Sequence, residues 1–166
     1  PLLLLAGMTL VEISRNSRAQ VEQGQTDTTR ALALAVDGEV RSWRTALEAL
    51  AASRSLEPGR MAEFSEEARQ VAAQHEGWIV INDAKGQQQL NTLLPLGAPL
   101  PKTGAREMVE AVFREGKPVT DMVFGAVAQR YIISNSVPVF RGGKVVFCLS
   151  LNFGPERLTQ LLQRQQ

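Results

Sequence analysis

From Leu32 to Leu50 the apolar residues recur at steps of four and three: Leu32, Val36, Val40, Trp43, Leu47 and Leu50. Polar residues such as Asp37, Glu39, Arg41, Arg44 and Glu48 fill most positions between them. That period lays one apolar stripe along a helix. The stretch before it, Ser14 to Arg30, is strongly polar. From Thr9 to Ser53 there is no proline, and Gly24 and Gly38 are the only glycines. The pattern predicts one long helix over Thr9–Ser53, about 45 residues and close to ~70 Å at ~1.5 Å per residue. A helix longer than a small domain is wide is unusual unless it carries a signal or forms a coiled coil.

Glu57-Pro58-Gly59 breaks that helix. A second is predicted from Arg60 to His75, with Met61, Phe64, Ala68, Val71 and Ala72 on one side and Gly77 as its stop. The period then shortens to two. Trp78–Asn82 is a β-rich run ending in the turn signal Asp83-Ala84-Lys85-Gly86, and Gln88–Thr92 pairs back to it. The proline-rich connector Leu94–Pro101 can be neither helix nor central strand. Thr103 caps a short helix over Ala105–Glu115, which Gly116 ends. Strands follow at Val119–Val127, Arg130–Phe140 and Lys144–Phe153, the last two joined by the tight turn Arg141-Gly142-Gly143-Lys144. Pro155 and Glu156 open a final helix with Leu158, Leu161 and Leu162 on its face. Five strands in hairpin order with helices on one side define an α+β domain.

Composition narrows the function classes. With 166 residues, 44% of them hydrophobic, the chain can bury a core of its own. Its 18 basic and 17 acidic residues leave a net charge of +1, no field for holding a nucleic acid. Cys148 is the single cysteine and His75 the single histidine, so cysteine clusters and paired-histidine metal sites are excluded. A hydrolase would have to use His75, yet no Gly-x-Ser-x-Gly elbow exists, and a helix C-terminus is an ordinary place for a histidine. Cys148, between Phe147 and Leu149, reads as an inert buried thiol. Gly142-Gly143 has no Gly-Lys-Ser/Thr sequel to make a phosphate loop. The residues call for no cofactor and no metal.

The first eleven residues, Pro1 to Val11, are apolar, with four consecutive leucines and no charge before Glu12. A membrane span needs about 20 such residues. The run is either the outer end of a truncated transmembrane helix, the favoured reading, or the buried start of a soluble one. No basic segment precedes it to make a signal peptide.

Three segments carry a family resemblance: Trp78-Ile79-Val80-Ile81-Asn82-Asp83-Ala84-Lys85-Gly86; Gln89-Leu90-Asn91-Thr92 with Leu96-Gly97-Ala98-Pro99-Leu100-Pro101; and Val137-Pro138-Val139-Phe140-Arg141-Gly142-Gly143-Lys144-Val145-Val146. In this order, between a long helix and a final one, they resemble the PAS-like Cache domains, extracytoplasmic sensors of bacterial histidine kinases, chemoreceptors and diguanylate cyclases. With the apolar run 1–11 as the end of a membrane segment, the resemblance implies a long N-terminal helix at 12–56, a single sensor module at 57–154 and a signalling helix at 155–166. It implies a periplasmic domain of a bacterial inner-membrane receptor, flanked by transmembrane helices and dimeric through its N-terminal helices. The fragment itself would sense a small molecule rather than catalyse a reaction. Its output would be a kinase or cyclase. Some amino-acid and amine sensors of the family share a Tyr, Arg, Trp, Tyr and Asp set. One tyrosine and two tryptophans cannot supply that set here, so the ligand class is not inherited.

The candidate ligand residues come from strand alternation. Val145, Phe147, Leu149, Leu151 and Phe153 share one face; Val146, Cys148, Ser150 and Asn152 share the other. Ile132, Ser134 and Ser136 likewise oppose Tyr131, Ile133, Asn135, Val137 and Val139. A small, polar sheet face has two explanations. Either a helix packs closely on it, with Ala31, Ala33 and Ala35 over Cys148 and Ser150, or a small molecule binds there. Ser134, Ser150 and Asn152 are candidates on that ground. Tyr131 could point its hydroxyl inward or be a core aromatic with a wet tip. The resemblance places Asn91 and Thr92 at the end of a strand that lines the cavity in that family; they could equally form the turn before the connector. Asp121 inward would select a cationic group; outward it is a solvated edge charge. Arg106, like Arg130, could pair a carboxylate in a two-toothed grip, so a carboxylate, amino acid or amine is the ligand class expected.

Overall fold

The computed structural model of the chain describes residues 33–34 and 36–163. The apolar run 1–11 and the predicted helix up to residue 32 lie outside the described residues, as do the side chains of Leu158, Leu161 and Leu162. No helix among the described residues is long and apolar enough to cross a membrane.

Helix α1 runs through residues 36–51. Its predicted stripe is its packed face: Trp43, Leu47 and Leu50 are buried, and Val40 packs beside them. The helix ends before the predicted break at Glu57-Pro58-Gly59. The Ser53 hydroxyl accepts the Ser55 amide at 3.2 Å and opens a short 3-10 turn, Arg54–Leu56. A serine side chain competing for backbone amides is a common reason for such a stop. Helix α2, Met61–Gln74, buries Phe64, Ala68 and Ala72. Its end also differs from expectation. The residue in the left-handed region is Glu76, with φ 53°. Gly77 is required for a different reason: a β-carbon there would lie 2.5 Å from the Asn152 carbonyl oxygen.

The five strands are β1 (Trp78–Asn82), β2 (Gln88–Asn91), β3 (Val119–Gly125), β4 (Arg130–Arg141) and β5 (Lys144–Phe153). They form one antiparallel sheet in the order β2-β1-β5-β4-β3. The order is not simply that of successive hairpins, because β5 inserts between β1 and β4. Trp78 pairs with Asn152, and Ser134 with the same Asn152 from the other side. Strand β3 stops at Gly125, two residues before the expected Val127, where a turn with Gln129 at φ 53° leads into β4.

Helices cover both faces of this sheet, not one. Ile79, Ile81, Ile133, Val137, Leu149, Leu151 and Phe153 form the main core with α1 and α2. Trp43 packs against Phe153 with ring centroids 4.4 Å apart and ring planes tilted by 49°. Burying each such large side chain is worth about 1.5–3 kcal/mol. On the opposite face lies α3 (Arg106–Glu115), whose Val109 and Val112 pack on Cys148. The polar face is covered by α3; Ala33 is exposed, and Ala31 and Ala35 lie outside the described residues. Helix α4, Glu156–Gln163, follows β5 directly.

Candidate ligand cavity

Between the polar sheet face and the segment Thr103–Ala105, the start of α3 and the β3–β4 turn lies a cleft that opens to solvent. Strands β1, β4 and β5 supply its floor, and the alternation that faces their apolar residues to α1 and α2 faces Trp78, Val80, Asn82, Ser134, Ser150 and Asn152 into it. Gln88 and Asn91 close one end from β2; Met108, Val123 and Phe124 wall the other side. The space that admits the centre of a water-sized sphere is about 30 Å³, room for very few waters. It is a small, partly open site.

Hydrogen bonds organise its floor. The Ser136 and Ser150 hydroxyls are 2.7 Å apart, Ser134 lies 3.4 Å from Ser136, and Met108 Sδ accepts from Ser136 at 3.6 Å. Asn152 donates through Nδ2 to the Trp78 carbonyl at 3.3 Å. Asn91 donates to Gln88 Oε1 at 3.0 Å and accepts the Leu93 amide at 3.1 Å. It thus holds β2 and its turn as well as lining the cleft. One acceptor stands apart: Asn82 Oδ1 is buried and makes no hydrogen bond. A buried acceptor without a donor costs about 1–3 kcal/mol. Burial pushes the Cys148 thiol from 9.0 up to about 11, only partly offset by hydrogen bonds from Ser150 and Ser136. That thiol is not a nucleophile near neutral pH.

Four of the seven candidates from the sequence, Asn91, Ser134, Ser150 and Asn152, come together on this cleft. The other three do not. Arg106 is exposed and pairs with Glu110 through Nε–Oε1 at 2.6 Å. Asp121 is exposed, and its carboxylate accepts the Met122 amide at 2.7 Å. Tyr131 is exposed and meets Phe124 edge-on, ring centroids 5.8 Å apart. Arg130 pairs with Glu156. Asn82, Gln88, Trp78 and Thr103 also line the cleft, without being candidates from the sequence. The signal was present for two of them, because Trp78, Val80 and Asn82 alternate as Ser150 and Asn152 do. Among the described residues, no group of His, Cys, Asp and Glu gathers to hold a metal.

No protein-family model and no characterised protein sequence matches the chain. Solved structures do match. The ligand-binding domain of the Campylobacter jejuni chemoreceptor Tlp3 in complex with L-valine superposes with a TM-score of 0.67 at 12% identity, over 84% of this chain and 62% of that one. The sensor domain of the Vibrio cholerae histidine kinase DctB gives 0.70 at 10% identity, over 88% and 60%. The ligand-binding domain of the Pseudomonas aeruginosa amino-acid chemoreceptor PctC, in complex with GABA, gives 0.60 at 16% identity, over 76% and 62%. The chain has the PAS-like Cache fold of receptor sensor domains and spans less than two thirds of these domains' length. Each of these neighbours is a ligand-binding or sensor domain of a receptor.

Proposed function

We propose that the chain is the extracytoplasmic small-molecule sensing domain of a membrane-bound signalling receptor, a sensor histidine kinase of the bacterial inner membrane with this domain in the periplasm. The observation that carries the proposal is the cleft: a polar floor on an otherwise apolar sheet, covered by a helix and two loops. Neighbours whose domains hold L-valine or GABA support a small organic ligand. The carboxylate, amino-acid or amine class expected from the sequence depended on Arg106 and Asp121, and neither lines the cleft.

The path from the cleft to the output is short. Asn152 lines it; Phe153 and Gly154 follow; α4 begins at Glu156. Two ion pairs tie the first turn of α4 to the domain, Arg130–Glu156 at 2.9 Å and Glu76–Arg157 at 2.8 Å. A ligand that binds better when the cover is closed shifts α3 and β5 together, and through them α4. Helix shifts of about 1–2 Å are enough in known switches. In this reading the N-terminal helices pair two copies, and transmembrane helices flank the domain.

The small size of the cleft favours a second reading, a ligand-free interaction or dimerisation module of the same fold. A thermal-shift screen over small metabolites separates the two. A saturable rise in melting temperature, lost in Asn152→Leu, supports sensing; a flat response to every compound supports the module.

A further inference from the structure

The side chains around the cleft, among the described residues, are amides, hydroxyls, aromatic rings and aliphatic groups, and none carries a charge. We infer that the site takes a small uncharged molecule bearing an N–H or O–H donor, held through Asn82 Oδ1, and not an ion or a zwitterion. This deepens the sensing proposal and rests on it.

Two observations carry the inference. The first is the charge balance. A charged group moved into a water-poor site needs an opposite charge or several directed hydrogen bonds to offset lost hydration. Charged residues near the lining ones in sequence do not line the cleft: Arg106 pairs with Glu110, Arg130 with Glu156, Asp121 accepts a backbone amide, Asp83 accepts the Lys85 and Gln87 amides, and Lys102 is exposed. The first turn of α3, whose free amides favour anions, already contains the carboxylate of Glu107. The second observation is the unpartnered acceptor. Asn82 is 2% exposed and its Oδ1 has no donor, while the neighbouring polar groups Ser136, Ser150, Asn91 and Asn152 are already bonded to one another or to backbone. A donor on the ligand satisfies the one unpartnered buried acceptor among the described residues, and Asn82 lines the cleft. Trp78 and Phe124 provide apolar surface for the rest of the molecule. The limited space restricts it to few heavy atoms.

The test is isothermal titration calorimetry on the whole chain with two sets of probes. Acetamide, urea and uracil are neutral donors; acetate, succinate, L-valine and putrescine are charged. The expected result is saturable binding of at least one neutral probe, more than about tenfold tighter than any charged one. Asn82→Leu should weaken it by about tenfold, the loss of one buried hydrogen bond. If that variant does not fold, the near-isosteric Asn82→Asp replaces it. A carboxylate there should confer putrescine binding that the parent lacks. Tighter binding of acetate or L-valine overturns the inference while leaving the sensing proposal in place. Neutral binding that ignores both Asn82 variants overturns the assigned contact. Silence from every probe at about 10 mM counts against the sensing proposal and this inference together.

Discussion

Gly104 lies against the Phe124 backbone so closely that a β-carbon on it would overlap the Phe124 carbonyl oxygen. This contact presses the loop before α3 onto the edge strand β3 and closes one wall of the cleft. Gly104→Ala must push the two apart. The expected cost is about 1–3 kcal/mol, typical of overpacking, with faster amide exchange in residues 124–128 than in β5. Unchanged exchange in that turn would show that the loop does not hold it.

Trp43 fills the space between α1 and the end of β5. Trp43→Ala should lower unfolding stability by about 3–5 kcal/mol, read as a shift in the urea midpoint. Trp43→Phe keeps a ring against Phe153 and should cost clearly less. The indole Nε1 has no partner, so its loss carries no hydrogen-bond penalty.

The Cys148 thiol sets an alkaline limit. Its folded value, about 11, lies above the ordinary 9.0, so the protonated form is favoured on folding. That contribution is fully present below about 9 and is lost as pH rises towards about 11. Urea midpoints at about pH 8 and about pH 10 should differ more for the parent than for Cys148→Ala. The folded thiol should also resist alkylation at pH 8. Equal pH sensitivity in parent and variant would remove the thiol from this account.

Glu76 combines a left-handed backbone with an ion pair to Arg157, whose side chain is 11% exposed. Two substitutions separate these roles. Glu76→Gly relieves the backbone and removes the charge; Glu76→Gln removes only the charge. Glu76→Gly should be the more stable by up to about 1 kcal/mol, the left-handed cost of a side chain less the entropy that glycine adds to the unfolded chain, while both should loosen α4 alike in amide exchange. Loosening in one alone would show that the pair does not anchor α4.

Much of this architecture is legible in local pattern. The four-and-three spacing of Val40, Trp43, Leu47 and Leu50 gives the packed face of α1, and the alternation of Leu149, Ser150, Leu151 and Asn152 divides β5 into a core side and a cleft side. What local pattern cannot give is pairing at a distance. Nothing near Trp78 announces Asn152 as its partner, and the small residues on the cleft face do not say which helix covers them. Asn82 does not stand out in the sequence because it borders the turn signal Asp83-Ala84-Lys85-Gly86, where an asparagine has an obvious local use. Arg106 and Asp121 stand out by charge alone. Their positions on an exposed helix start and an edge strand depend on tertiary packing.

The contact of Trp43 with Phe153 joins the incoming helix to the end of the outgoing strand. Under the sensing proposal, a tilt of that helix would reach the exit of β5 directly, as one arm of a lever moves the other.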